Sequence, residues 1–212
     1  MLVEDVMRRD VVTASPKTTL PAALALVQRR GIRHLPVVED GSLVGIVSDR
    51  DLKRAMASSA TSLERHELAY LLDRLTLAEF MTCAVMTVGP SFPVEEAARL
   101  MVAEKISGLP VTEGGRLVGI VTETDVLDLF VRAMGAHEPS SRLDVELPER
   151  PAALTELVHV VEAAGATISS VMTLLNRAGL KEAIVRLATI NPGPAIRALE
   201  ARGYTVRGSW RG

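Results

Sequence analysis

One cysteine, Cys83, stands in a chain of 212 residues, so no intramolecular disulfide forms, and a lone thiol fits a reducing, cytoplasmic setting. Aromatic residues make up only 3%, which leaves few rings for bases to stack on. With 24 Lys plus Arg against 26 Asp plus Glu, there is no basic footprint for a phosphate backbone, so no nucleic-acid partner is expected. No uncharged apolar run reaches the roughly 18 residues that a spanning helix needs, and no membrane contact is expected. The opening MLVEDVMRRD places acids where a signal peptide needs a basic and then an apolar stretch. Lysine is scarce (4, against 20 Arg) and Asn plus Gln total three; a thermophile would show this bias, and so would GC-rich codons. His34, His66, His137 and His159 are scattered, with no HExxH and no His/Cys ligand spacing, so no metal is expected. GxSxG and Walker A motifs are also missing, so neither catalytic residues nor enzymatic activity are expected.

What is present is a repeat. GIVSDRDL (45–52) returns as GIVTETDV (119–126), and sliding Met7–Leu52 onto Met81–Val126 needs no gap and matches 18 of 46 positions. Chance would give a few, so this is a duplicated supersecondary unit. Each copy carries the same signals in the same order. A short β-rich piece (Val11–Ala14, Val85–Val88) runs into Pro16 or Pro90, and a helix follows. In the first copy Thr18 or Thr19 caps that helix, Pro21 sits in its first turn, Gly31 ends it, and Leu20, Leu24 and Val27 share a face. Val94, Ala97, Ala98 and Met101 correspond in the second. Then come LPVV or LPVT, an EDG or EGG turn, LVGIV in both copies, and a second helix: β-α-β-β-α per repeat, with a glycine hairpin turn. Cys83, beside the first strand of copy two, reads as a small core residue.

Between the copies, Thr61 and Glu64 form a capping box, and Leu68, Leu71, Leu72 and Leu75 recur at helical spacing. A joining helix near 62–74 follows, its apolar face either core or a contact with another subunit. After Val131 the pattern changes. GAHEPSS (135–141) reads as a linker, and the remainder reads as βαββαβ, a ferredoxin-like split unit with a turn at NRAG (176–179) and a helix ended by Gly165.

In GIVSDRD a buried strand ends at Ser48 and a helix starts at Asp49, so Ser48 and Asp51 stand three apart at a helix start, as do Thr122 and Asp125. Such a pair serves as a helix cap, with an acid placed favourably at the positive end. It also serves as a nucleotide site: a hydroxyl at a helix start suits phosphate, and a carboxylate there accepts two hydrogen bonds from a vicinal diol. Spacing leaves both readings open.

Both copies resemble CBS motifs, on VMRRDVVTASP, IRHLPVV and GIVSDRDL in the first and FMTCAVMTVGP, ISGLPVT and GIVTETDV in the second. A tandem pair resembles the adenosyl-nucleotide sensing module of that family. The resemblance implies that Asp51 and Asp125 hold ribose hydroxyls, with Ser48 and Thr122 helping to hold phosphate. It implies that adenine lies against Thr13, Ala14, Ile32 and Pro36, or against Thr87, Val88, Ile106 and Pro110. Copy one has Arg33, His34 and Arg50 where copy two has Ser107, Gly108 and Thr124. The first site is therefore expected to prefer an anionic ligand such as AMP, ADP or ATP, and the second to take a nucleoside-like ligand or stay empty. A plain solvated role for Arg33 and Arg50 is the alternative.

The tail resembles an ACT domain, whose loop appears as ERPAAL (149–154): Glu149, Pro151 and Leu154 are in place, with Ala152 instead of glycine. The resemblance implies dimerisation, or amino-acid sensing at an effector loop of Glu149, Pro151 and Ala152; the alanine favours the former. The whole order resembles the acetoin utilisation protein (AcuB) family. It divides the chain into a CBS repeat (1–58), a joining helix (59–75), a second CBS repeat (76–134), a linker (135–141) and an ACT-like domain (142–212). The expectation is a cytoplasmic, regulatory, ligand-sensing homodimer that needs no cofactor beyond its nucleotide ligand. A purely structural dimerisation protein is the rival.

Overall fold

Two-residue turns build the first half of the fold. Asp40-Gly41 and Gly114-Gly115 take positive φ at both positions, the geometry that matches the twist of paired strands. They close the hairpins β1 (His34–Glu39) with β2 (Ser42–Ser48) and β3 (Gly108–Glu113) with β4 (Arg116–Thr122). A computed structural model describes residues 1–58, 74–135 and 139–211. Over these the chain divides into two compact units, Met1–Val126 and Leu127–Gly212. The expected joining helix lies almost wholly outside the described residues.

Helices α1 (Leu20–Arg30) and α2 (Asp49–Ser58) flank the first hairpin in sequence; α3 (Val94–Glu104) and α4 (Glu123–Ala133) flank the second. As the spacing predicts, α1 carries Pro21 in its first turn and ends at Gly31 with φ 61°; it buries Leu20, Ala23 and Val27, with Leu24 half-buried beside them, and Thr19 stands at its N-cap without a side-chain cap hydrogen bond. Its counterpart α3 buries Val94, Ala97 and Met101. The leading strand expected in each copy is reduced to a one-residue parallel bridge, Ala14 to Val37 and Val88 to Val111. Pro16 and Pro90 follow two residues later; proline offers no ladder donor and restricts the residue before it, so pairing stops. Cys83 corrects another expectation. It is exposed, and Met81, two residues earlier, is the one that packs against the first core.

The four strands run β1-β2-β4-β3 in one antiparallel sheet, and the two hairpins meet at Ser42 and Arg116. A second set of contacts crosses between the copies. Thr82, at the start of copy two, pairs with Ile46 of β2 by two backbone hydrogen bonds of 3.0 Å. Arg8, at the start of copy one, pairs with Ile120 of β4 at 2.9 and 3.0 Å. Gly45 and Gly119 permit this exchange. A Cβ at Gly119 would stand 2.5 Å from Sδ of Met7, and one at Gly45 would run into Sδ of Met81.

The second unit has the βαββαβ order read from the sequence. Its elements are β5 (Ser141–Glu146), α5 (Ala153–Ala163), β6 (Ile168–Leu175), β7 (Lys181–Leu187), α6 (Gly193–Ala201) and β8 (Val206–Arg211). The strands lie in the antiparallel order β6-β7-β5-β8. Leu143, Val145, Leu157, Val161, Val185 and Leu199 are buried together in its core. The stretch read as a polar linker ends differently: Ser140 and Ser141 are buried, because β5 begins at Ser141, whose hydroxyl donates to the Thr189 carbonyl at 2.7 Å. Asn176 folds the expected turn by accepting from the amides of Ala178 and Leu180. Among the described residues no helix is long and apolar enough to cross a membrane.

Ala152, where the loop motif has glycine, stands at the N-cap of α5 with φ 62° and ψ 6°. That left-handed conformation costs an L-residue about 1–2 kcal/mol. A glycine there would give back roughly 0.4–1 kcal/mol in unfolded-chain entropy. Ala152→Gly is therefore expected to raise stability by roughly 0.5–1 kcal/mol, as an upward shift of the denaturant midpoint; a lower midpoint would refute the strain assignment.

A candidate ligand cleft in the first unit

Because the lead segment of copy two pairs with β2, the end of β2 and the start of α2 face residues of the other copy. Between them opens a cleft of about 730 Å³. Ser48, Arg50 and Asp51 line it from copy one; Thr82, Ala84, Val85, Met86, Ile106 and Pro110 line it from copy two. Arg33 and His34 also line it, and so do two further acids, Asp49 and Glu104.

The cap at its mouth is the one the spacing predicts. The Asp51 amide donates to Ser48 Oγ at 3.2 Å, while Ser48 N and Oγ donate to Asp51 Oδ2 at 2.9 and 2.5 Å. Only one carboxylate oxygen is used. No hydrogen bond to Oδ1 of Asp51 is found among the described residues, so that oxygen is open to a further donor. Arg50 and Lys53, spaced one helical turn apart, line the same cleft. Lys53 pairs with Asp49 at 3.3 Å, both side chains partly or largely in solvent. The Ile106 and Pro110 side supplies the apolar wall, so the cleft has carboxylates, cations and an apolar surface within reach of one small molecule.

The equivalent position in copy two is built alike and occupied differently. Thr122 N and Oγ1 donate to Asp125 Oδ2 at 2.9 and 2.6 Å. The remaining Oδ1 accepts from Arg8 Nε at 3.0 Å. Arg8 is the repeat counterpart of Thr82, so the exchange that places a small hydroxyl at the first cleft places a guanidinium on Asp125. Asp125 is 9% exposed. The chain's own cation thus takes the oxygen whose counterpart on Asp51 has no such donor.

The other expected positions divide. Arg33, His34, Pro110 and Ile106 are drawn together at the cleft, but the set expected from copy one alone is not. Thr13, Ala14, Ile32 and Pro36 do not line this cleft, and neither do Thr87 and Val88. Ala14 and Val88 are instead held in backbone bonds to Pro36 and Pro110. The expected grouping by copy fails because the lead segments cross over. Thr82, Ala84, Met86, Lys53 and Lys105 were not foreseen; Lys53 alone had a signal, its spacing of three from Arg50 on one helix. Glu149, Pro151 and Ala152 are exposed in the other unit. Among the described residues no group of three His, Cys, Asp or Glu side chains is placed to hold a metal.

His34 and Arg33 reach across the copies. His34 Nε2 and Ser107 Oγ lie 2.9 Å apart, and Arg33 Nη2 donates to Thr124 Oγ1 at 2.7 Å. Gly108 makes room for the imidazole: a Cβ there would stand 3.1 Å from the ring. Burial, and then the neighbouring Arg33 charge, hold His34 below its usual 6.5 despite the opposing carboxylates of Asp49, Glu123 and Asp51.

These features are those of a known module. The CBS domain model matches residues 3–58 and 77–132. The chain belongs to the CBS domain family. Its tandem pair is similar to a putative acetoin utilisation protein (AcuB) from Vibrio cholerae, at 34% identity and a TM-score of 0.56, over 64% of this chain and 96% of that one. It is similar to CBSX2 in complex with AMP, at 32% identity and a TM-score of 0.52, over 62% and 96%. It also resembles the CBS domain pair of MJ0100 in complex with 5′-methylthioadenosine and S-adenosyl-L-methionine, at 32% identity and a TM-score of 0.53, over 61% and 95%. The match ends at residue 132, so most of the second unit, which begins at Leu127, lies outside it.

The lowered pKa of His34 has a stability consequence. On acidification the unfolded chain takes this proton first, so stability falls as pH drops below about 6.5 toward the folded pKa. His34→Gln, which keeps a donor for Ser107, is expected to flatten the acid limb of the stability curve between about pH 7 and pH 5. Denaturant midpoints across that range test this; an unchanged slope would exclude His34.

Proposed function

We propose that this CBS pair is a regulatory module that senses an adenosine nucleotide of the AMP, ADP or ATP type at the Asp51 cleft. The observation that carries the reading is the asymmetry of two identical caps. Asp51 keeps one carboxylate oxygen open beside Arg50 and Lys53, whereas Asp125 spends its second oxygen on Arg8. Two charge-bearing oxygens are not needed for a diol when one is free and a cation stands by for phosphate. Ile106 and Pro110 are apt for the adenine face, and Ser48, already in the cap, turns its hydroxyl to the same side. That solved CBS pairs are named with AMP and with S-adenosyl-L-methionine supports an adenosine ligand. No cofactor and no catalysis enter this reading.

In the same reading the chain signals as a homodimer. Leu127 and Phe130 of α4 are 63% and 52% exposed, more apolar surface than a lone helix gains by showing to water. The second unit, in its ACT-like role, serves dimerisation rather than amino-acid sensing, since Ala152 places a methyl where the loop motif leaves the backbone bare.

Calorimetric titration with AMP tests the site. Losing a charged acceptor in a bound pocket costs roughly 1.5–3 kcal/mol, or about ten- to a hundredfold in Kd. Asp51→Ala is expected to weaken AMP by that factor, and Asp125→Ala to leave the tighter site intact. Arg50→Ala should weaken AMP and ATP more than adenosine, since only phosphate feels it. If the caps are only caps, both aspartate variants lose about 1 kcal/mol of stability, and AMP binds wild type and Asp51→Ala equally or not at all; that result would sink the proposal.

A further inference from the structure

We propose that the sheet face of the second unit opposite its helices binds a small carboxylate through Arg186. This rests on the second unit alone and is independent of the nucleotide reading.

On β7, Ala183, Val185 and Leu187 point into the helix-covered core, so Arg186 points to the opposite face. Strand pairing lines up one row across that face: Ser170 on β6, Arg186 on β7, Arg142 on β5 and Trp210 on β8. Two arginines therefore stand directly opposite each other, an arrangement that is unfavourable without a counter-charge. One counter-charge is present, and it is used. Asp144 takes Arg142 with both oxygens, at 2.7 and 3.1 Å. Arg186 has no ion pair among the described residues, although it is 6% exposed. Its Nη1 donates to Ser140 Oγ at 2.7 Å, and its Nε is buried without a hydrogen-bond partner. Gly135 lies over the stem, where a Cβ would come within 3.2 Å of Arg186 Cδ.

A buried guanidinium with an unused donor and no acid is costly, and a bound anion would relieve it. Space for one exists: a cavity of about 490 Å³ is lined by Arg142, Asp144, Arg186, Gly208, Ser209 and Trp210. One planar carboxylate matches the fork of an arginine. The indole of Trp210, 61% exposed, offers a face for an apolar remainder. Among the described residues the one acid lining the cavity, Asp144, is already held by Arg142, so an ammonium group finds no free carboxylate among them. The class is thus a monocarboxylate with an apolar tail and no amino group.

Trp210 is the single tryptophan of the chain, so its fluorescence reports this cavity. The full-length protein is titrated with 4-methylpentanoate, with leucine, which adds an ammonium to the same carbon skeleton, and with inorganic phosphate; isothermal calorimetry is run alongside. Saturable binding of 4-methylpentanoate is expected, at least about tenfold tighter than leucine or phosphate. Arg186→Met is expected to lose it by about tenfold or more while melting no lower than wild type, because an apolar side chain of similar size replaces an uncompensated charge. Arg186→Lys, which keeps the charge without the fork, should bind with intermediate strength. No saturable response to 4-methylpentanoate, equal binding of leucine or phosphate, or undiminished binding by Arg186→Met would each overturn the assignment.

Discussion

The exchange of lead segments between the two repeats is the constraint on which the first unit depends. Each hairpin receives, along its second strand, the chain that begins the other copy: Thr82 on Ile46 and Arg8 on Ile120. Glycine in both LVGIV strands makes this possible, since any side chain at Gly45 or Gly119 would meet the methionine that comes in with the segment. The two repeats, whose hairpins share only the Ser42–Arg116 strand pair, are thereby interlocked.

That same crossing makes two copies of one motif differ. Ser48–Asp51 and Thr122–Asp125 form the same cap with nearly the same distances. One difference is the residue delivered from the other copy. At position 82 a threonine leaves one oxygen of Asp51 without a protein donor, whereas Arg8 at the corresponding position donates to Asp125. His34 and Arg33 strengthen the difference by reaching to Ser107 and Thr124, so the cation-rich side of the module is also cross-linked through its polar surface.

In the second unit the informative residues are those that sit badly. Ala152 holds a left-handed backbone that glycine would hold freely, and Arg186 keeps a guanidinium almost wholly out of water with a donor unused. Neither contributes to the core formed by Leu143, Leu157 and Val185. Strain and an unbalanced charge survive only where the surrounding packing over-determines them.

Local chemistry was legible in the sequence. Short-range rules need only neighbours in the chain, so the hairpin turns at Gly41 and Gly115, the end of α1 at Gly31, the Ser48–Asp51 cap and the βαββαβ order of the tail were all readable in advance. The repeat itself, and with it the pairing of Asp51 with Asp125, came from comparing the chain with itself. What tertiary structure alone decided was which pieces meet. The leading strands shrank to single bridges, Cys83 turned outward while Met81 turned in, and the cleft recruited Thr82, Ile106 and Pro110 to Asp51 instead of Thr13 and Ile32. The reason is physical. A sequence states what each residue can bond to, but Arg8 on Asp125 and Arg186 opposite Arg142 follow from packing that closes 117 positions in one case and from strand register in the other.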